Sequence, residues 1–89
     1  GMHGFTISLA QENAKFGVTV NTVSPGYVGT DMVMAVPEDV RAKIVAQIPT
    51  GRLGSPDEIA YAVCFFVADE AAWITGANLS INGGHYMGW

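Results

Sequence analysis

The residues best placed to do chemistry in this chain lie between Pro25 and Thr30. Gly26 lacks a Cβ and lets backbone come close to a bound group. Backbone groups near Val28 and the Thr30 hydroxyl offer hydrogen-bond donors and acceptors to such a group. The segment follows a β-branched run, and ligands of open α/β sheets sit beyond the carboxyl ends of the strands. The same spacing also suits a plain strand-ending turn. Elsewhere the chemistry is thinner. His3 and His85 have no carboxylate or cysteine at ligand spacing and read as structural or surface residues. Ser24 has no nucleophile elbow around it. Cys64, the single cysteine, excludes an internal disulfide and a cysteine metal site, and reads as core.

Local patterns outline the elements that carry these residues. Met2, Phe5, Leu9 and Phe16 recur at three-, four- and seven-residue steps and predict an amphipathic helix over 2–16, stopped at Gly17. Residues 18–24 are rich in β-branched side chains and predict a buried strand, broken by Pro25-Gly26. A glycine-containing loop then runs to about Val36, with one helical turn near 31–35. A second helix is predicted to start at Pro37, with Glu38-Asp39 at its positive end and Pro49 past its close. Its buried face is Val40, Ile44 and Ile48.

Ser55-Pro56-Asp57-Glu58 is the clearest helix start: Ser55 caps, Pro56 takes the first position and Glu58 reaches back. Ile59, Val63, Phe66 and Val67 form that helix's main stripe, and Tyr61, Cys64 and Phe65 widen its apolar surface to a second face. Ala77, Leu79 and Ile81 alternate with Asn78 and Ser80 as a last short strand. The order helix, strand, helix, helix, strand predicts an α/β fold with a parallel sheet and crossover helices. An isolated pair of strands is marginal, so residues 1–89 are expected to form a single partial domain, the C-terminal portion of a Rossmann-like doubly wound sheet with about three helices and two strands.

Composition narrows the function classes. The chain has 89 residues, 49% of them hydrophobic and 13% charged, and chains of this size bury only roughly 60% of their unfolded surface. Some of the apolar surface is therefore expected to need a partner. With a net charge of −4 and four Lys and Arg in all, no basic patch exists to neutralise phosphates, which argues against nucleic acid and anionic membranes. No apolar run approaches the ~18 residues of a spanning helix, and no signal-peptide order opens the chain, so a cytoplasmic location is expected.

Four stretches in order, Val20-Asn21-Thr22-Val23-Ser24-Pro25-Gly26, Thr30-Asp31-Met32, Arg52-Leu53-Gly54-Ser55-Pro56-Asp57-Glu58-Ile59-Ala60 and Ile74-Thr75-Gly76-Ala77, are closed by Ile81-Asn82-Gly83-Gly84. Together they resemble the C-terminal part of short-chain dehydrogenase/reductases, most like the acetoacetyl-CoA reductases and 3-oxoacyl-acyl carrier protein reductases. The resemblance implies NADP(H) as cofactor of the whole enzyme, Pro25, Gly26, Tyr27, Val28 and Thr30 as its nicotinamide loop, and Tyr27 as a substrate contact. It implies that residues 32–48 form a lid closing over an acyl thioester. One departure is the acidic pair Glu38-Asp39, where the acetoacetyl-CoA reductases carry a basic residue near Pro37.

The family's catalytic Tyr-x-x-x-Lys pair, upstream Ser and relay Asn have no counterpart in this chain. Tyr27 is followed four residues later by Asp31, and Tyr61 by Phe65. The glycine fingerprint for a pyrophosphate is missing too, since Gly83-Gly84 opens no helix in the pattern. The resemblance places Gly1 just beyond the missing lysine. The expected function is thus part of a reductase turning a 3-ketoacyl thioester into its 3-hydroxyacyl product, inactive alone and holding no cofactor alone, with no catalytic residue and no metal of its own. Homo-oligomers are expected, with the tail residues Tyr86, Met87 and Trp89 at an interface. The alternative is a non-catalytic module that pairs its uncovered faces with copies of itself and binds no cofactor.

Overall fold

A computed structural model describes residues 2–85, so Gly1 and the tail residues Tyr86, Met87 and Trp89 lie outside the described residues. The first helix, α1 (Met2–Asn13), passes into one 3-10 turn at Ala14–Phe16. It stops as its sequence predicts, at a left-handed Gly17 whose N–H donates to the Ala14 carbonyl at 3.0 Å. The strand that follows, β1 (Thr22–Pro25), begins four residues later than the β-branched run predicts. Ahead of Thr22 one long-range backbone bond remains, Gly76 N donating to the Val20 carbonyl at 2.7 Å, and side chains supply the rest. The Val20 N–H donates to the Thr75 hydroxyl at 3.0 Å. The Asn21 amide donates to the Ile74 carbonyl and accepts from the Ala77 N–H, both at 3.0 Å. Pro25 closes β1 rather than breaking it, which a residue without an N–H can do at a strand end.

β2 (Asn78–Ile81) pairs with β1. Thr22 N–H donates to Ala77 O at 2.9 Å and Gly26 N–H to Ile81 O at 2.8 Å, so both chains advance by four residues in the same sense and the sheet is parallel. Between the strands lie α2 (Asp31–Met34), α3 (Glu38–Ala46) and α4 (Pro56–Val67), with a 3-10 turn at Asp69–Ala71. α2 stands where one helical turn is predicted. Pro37 is the cap of α3 rather than its first residue: its ψ of 146° is extended while its carbonyl already accepts from Arg41 N at 3.0 Å. Arg41 in turn closes the end of α2, its guanidinium donating to the Met34 carbonyl at 2.9 Å. These four helices and two parallel strands are an α/β arrangement that fits a portion of a Rossmann-like doubly wound fold.

The chain divides into two compact units, Gly1–Val23 with Tyr61–Leu79, and Ser24–Ala60 with Ser80–Trp89. In the first, Thr6, Ala10, Ala62 and Ala71 are buried, and the Thr6 and Thr22 hydroxyls share a hydrogen bond that ties α1 to β1. In the second, Ile48 is buried at the end of the Val40-Ile44-Ile48 stripe, whose first member is exposed. The apolar stripe predicted to bury α4 is largely in solvent: Val63 and Val67 are exposed, as are Tyr61 and Phe65 on its other side. Cys64, read from the sequence as core, is exposed, because none of the described residues packs over its face of α4. None of the described helices is long and apolar enough to cross a membrane, and no cluster of potential metal ligands occurs among the described residues.

Candidate functional site

The loop after β1 is fixed from three directions. Below it, Gly26 donates its N–H to Ile81, and a Cβ at Gly26 would stand 2.7 Å from the Asn82 Cβ. The close approach that its missing side chain permits is therefore used by the chain itself, against Asn82. Asn82 is fixed in its own turn, where its side-chain oxygen accepts from Gly84 N at 3.0 Å. Gly83 packs as closely, since a Cβ there would collide with the Thr50 hydroxyl and lie 2.9 Å from an Ile48 methyl.

On the second side, Val28 forms an isolated parallel bridge with Gly54. Gly54 N donates to the Tyr27 carbonyl at 3.0 Å and Gly29 N to the Gly54 carbonyl at 2.8 Å. Peptide groups alternate in direction along an extended chain, so bonding through both neighbours turns the N–H and C=O of Val28 itself away from Gly54. The third restraint is a γ-turn, in which Thr30 N donates to the Val28 carbonyl at 2.7 Å. Thr30 then caps α2, its hydroxyl oxygen accepting from Val33 N at 3.4 Å.

Gly54 is held in its turn by the start of α4. Ser55 and Glu58 form the predicted capping box, with Ser55 N donating to the Glu58 carboxylate at 2.9 Å and Glu58 N to the Ser55 hydroxyl at 3.2 Å. Arg52 adds a contact the box alone does not announce: a fork onto the same carboxylate, at 2.7 and 2.9 Å. The Arg52 hydrogen bond, followed by the Ser55 amide, lowers the Glu58 carboxyl from 4.5 to about 2, and the pair raises the Arg52 guanidinium. Arg52 also donates to the Leu53 carbonyl at 3.1 Å, so both residues before Gly54 are fixed.

Among the candidate residues read from the sequence, Pro25 carries no N–H, Gly26 spends its N–H on Ile81, and Tyr27 spends its carbonyl on Gly54. The groups left over are the Val28 N–H, the Thr30 O–H as a donor, and the Tyr27 side chain, which is 43% exposed. An N–H beside an O–H is a pair of donors suited to an acceptor oxygen such as that of a carboxamide. Tyr27, Thr50, Arg52, Gly54, Ile81 and Asn82 line a recess of about 80 Å³, well below the size of a ligand pocket. Gly54 and Asn82 stand in the family stretches, but the pattern does not give their contacts with the loop, because these join residues far apart in the chain.

A family profile described as enoyl-(acyl carrier protein) reductase matches residues 1–86. The chain belongs to the short-chain dehydrogenase/reductase family. It is similar, at 58% identity over 98% of its length, to the acetoacetyl-CoA reductase of Allochromatium vinosum. It is 58% identical over 99% of its length to the acetoacetyl-CoA reductase of Cupriavidus necator, and 56% identical over 98% to the 3-oxoacyl-[acyl-carrier-protein] reductase of Escherichia coli. The chain spans about a third of the length of these relatives, 35% of the first and 36% of the other two. As a short-chain dehydrogenase/reductase segment it holds the loop after β1, the three helices that follow and β2.

Proposed function

We propose that this chain is the C-terminal part of a single reductase domain, and that the whole enzyme uses NADP(H) to reduce a 3-ketoacyl thioester of the acetoacetyl-CoA kind to the 3-hydroxyacyl product. When bound, the nicotinamide supplies the hydride. The chain's own residues bind and orient: the Val28 N–H and the Thr30 O–H would donate to the carboxamide oxygen, and Tyr27 would meet the acyl group. The segment from Met32 to Ile48 covers the site and excludes water. Proton transfer and carbonyl activation belong to residues outside these 89, so the chain alone is inactive. The observation that carries this reading is the Val28–Gly54 bridge, which turns the Val28 N–H away from Gly54 in a chain 58% identical to acetoacetyl-CoA reductases. We place the enzyme in the cytoplasm as a homo-oligomer.

The test is a chimera in which these 89 residues replace the matching segment of the Cupriavidus necator acetoacetyl-CoA reductase. NADPH oxidation with acetoacetyl-CoA is expected from the chimera and not from the 89-residue chain. A folded but inactive chimera, turnover by the short chain alone, or a preference of the chimera for an enoyl thioester such as crotonyl-CoA would each overturn the reading.

A second reading has one observation in its favour, the exposure of Trp73 at 99% and Val67 at 74%, which are surfaces a self-associating module would cover. Light scattering by the isolated chain separates the two. A discrete folded oligomer whose residues fail to support the chimera favours the module, and a productive chimera favours the reductase.

A further inference from the structure

His85 makes two contacts that the site described above does not use. Its backbone is set by the Asn82 turn, with His85 N donating to the Asn82 carbonyl at 3.1 Å. Its side chain then reaches in two directions. Nδ1 lies 3.0 Å from the carbonyl oxygen of Gln47, the residue that caps the end of α3. A carbonyl only accepts, so Nδ1 carries the hydrogen, and the negative end of a helix favours a donor at that position. The imidazole also meets the Tyr27 ring edge to face, with centroids 5.6 Å apart and planes at 60°. One exposed histidine thus links the last turn of α3 to the aromatic ring at the mouth of the loop.

We propose that His85 is a positioning residue: it sets the orientation of Tyr27 and locks the end of α3 against it, and through Tyr27 it tunes affinity for the acyl substrate. The proposal rests on the reading of Tyr27 as the substrate contact and of residues 32–48 as the cover. The two contacts differ in chemistry and can be removed separately. Asn at this position keeps a side-chain N–H near the Nδ1 position and loses the ring. Phe keeps the ring and loses the donor. Ala loses both.

In the chimera, His85→Ala is expected to raise KM for acetoacetyl-CoA about tenfold, from one hydrogen bond and one aromatic contact, with kcat and the KM for NADPH within about twofold. His85→Asn and His85→Phe should each recover part of the loss, a pattern that a general loosening of the fold does not produce. An unchanged KM in His85→Ala, or equal losses in kcat and in both KM values, overturns the proposal. An inactive parent chimera instead overturns the function proposed above. In that event the contacts are read by NMR in the 89-residue chain. A hydrogen on Nδ1 of His85, and Tyr27 ring signals that shift in His85→Ala, support the positioning role. A hydrogen on Nε2 with unmoved Tyr27 signals overturns it.

Discussion

The loop from Pro25 to Thr30 and the outer face of α4 are both apolar in sequence, yet they end in opposite conditions. The loop is restrained on three sides by partners within the same chain: Ile81 and Asn82, Gly54, and the turn to Thr30. The outer face of α4 presents Tyr61, Cys64 and Phe65 to solvent. The difference lies in the kind of force each region uses. Backbone hydrogen bonds and close glycine contacts need a few partners at fixed positions, and 89 residues contain them. Covering a helix face needs a layer of apolar area, and a two-stranded sheet with four helices lacks the material for it. The positioning of the loop is therefore a property of this chain, while the burial of α4 is not.

The strongest way to break that contrast is to attack the tightest contact in the loop. Gly26→Ala places a methyl 2.7 Å from the Asn82 Cβ, and both atoms sit on backbone that cannot swing aside. We expect a loss of about 1–3 kcal/mol in urea unfolding, as for overpacked cores, and loss of turnover in the chimera. Asn82→Gly removes the opposing Cβ and should recover part of the loss in the double variant. Gly29→Ala is the control, because its added Cβ would meet nothing closer than 3.6 Å. It should cost less than about 0.5 kcal/mol. Equal losses at Gly26 and Gly29 would mean that the loop is not held by the Asn82 contact.

Next in size is the capping box that fixes Gly54 from the side of α4. Ser55→Ala removes the acceptor for Glu58 N and should cost about 1 kcal/mol in the same unfolding experiment. If the loop depends on this start of α4, the variant chimera should also show a higher KM for NADPH. An unchanged KM would show that Gly54 holds its place without the box.

These two sites also mark what the sequence makes legible. The box was readable because its partners are three residues apart, and the stop of α1 at Gly17 because a helix end is decided within one turn. The start of β1 was not. Ahead of Thr22 the Asn21 side chain and the Thr75 hydroxyl stand beside a single backbone bond from Gly76 to Val20, and each of these contacts joins residues more than fifty apart in sequence. Cys64 was misread for a related reason: an apolar stripe states that a face wants cover and says nothing of whether cover is present. At the site, the resemblance picked out Pro25, Gly26, Tyr27, Val28 and Thr30, whereas the contacts of Gly54 and Asn82 with the loop required the pairing to be seen. The pairing also inverted the meaning of Gly26, from a gap left for a ligand to a gap filled by Asn82.

The Arg52–Glu58 fork offers a smaller, pH-dependent test of the loop's side. Its carboxyl is lowered from 4.5 to about 2 by the Arg52 hydrogen bond and then the Ser55 amide, so the folded state binds a proton less readily than the unfolded chain does. The stabilisation is fully present above about pH 4.5 and is lost as pH falls towards 2. Both side chains are well exposed, so the effect is modest and should shrink in high salt. The expected result is that the difference in urea midpoint between the wild-type chain and Glu58→Gln is constant near neutrality and narrows below about pH 4.5. A difference that persists unchanged to pH 2 would assign the Glu58 contribution to packing rather than to its charge.

The smallest effect is expected on the other side of the contrast, at Trp73. An indole that is 99% exposed has no buried area to lose, so Trp73→Ser should move the unfolding midpoint of the 89-residue chain by less than about 0.5 kcal/mol. Large aromatic deletions in covered positions cost about 3–5 kcal/mol, so the two outcomes are well separated. A small change keeps the contrast: the loop carries its own restraints and the apolar surface carries none. A loss of several kcal/mol would show that copies of the chain already cover Trp73 in solution, and the unfolding midpoint of the wild type would then rise with protein concentration.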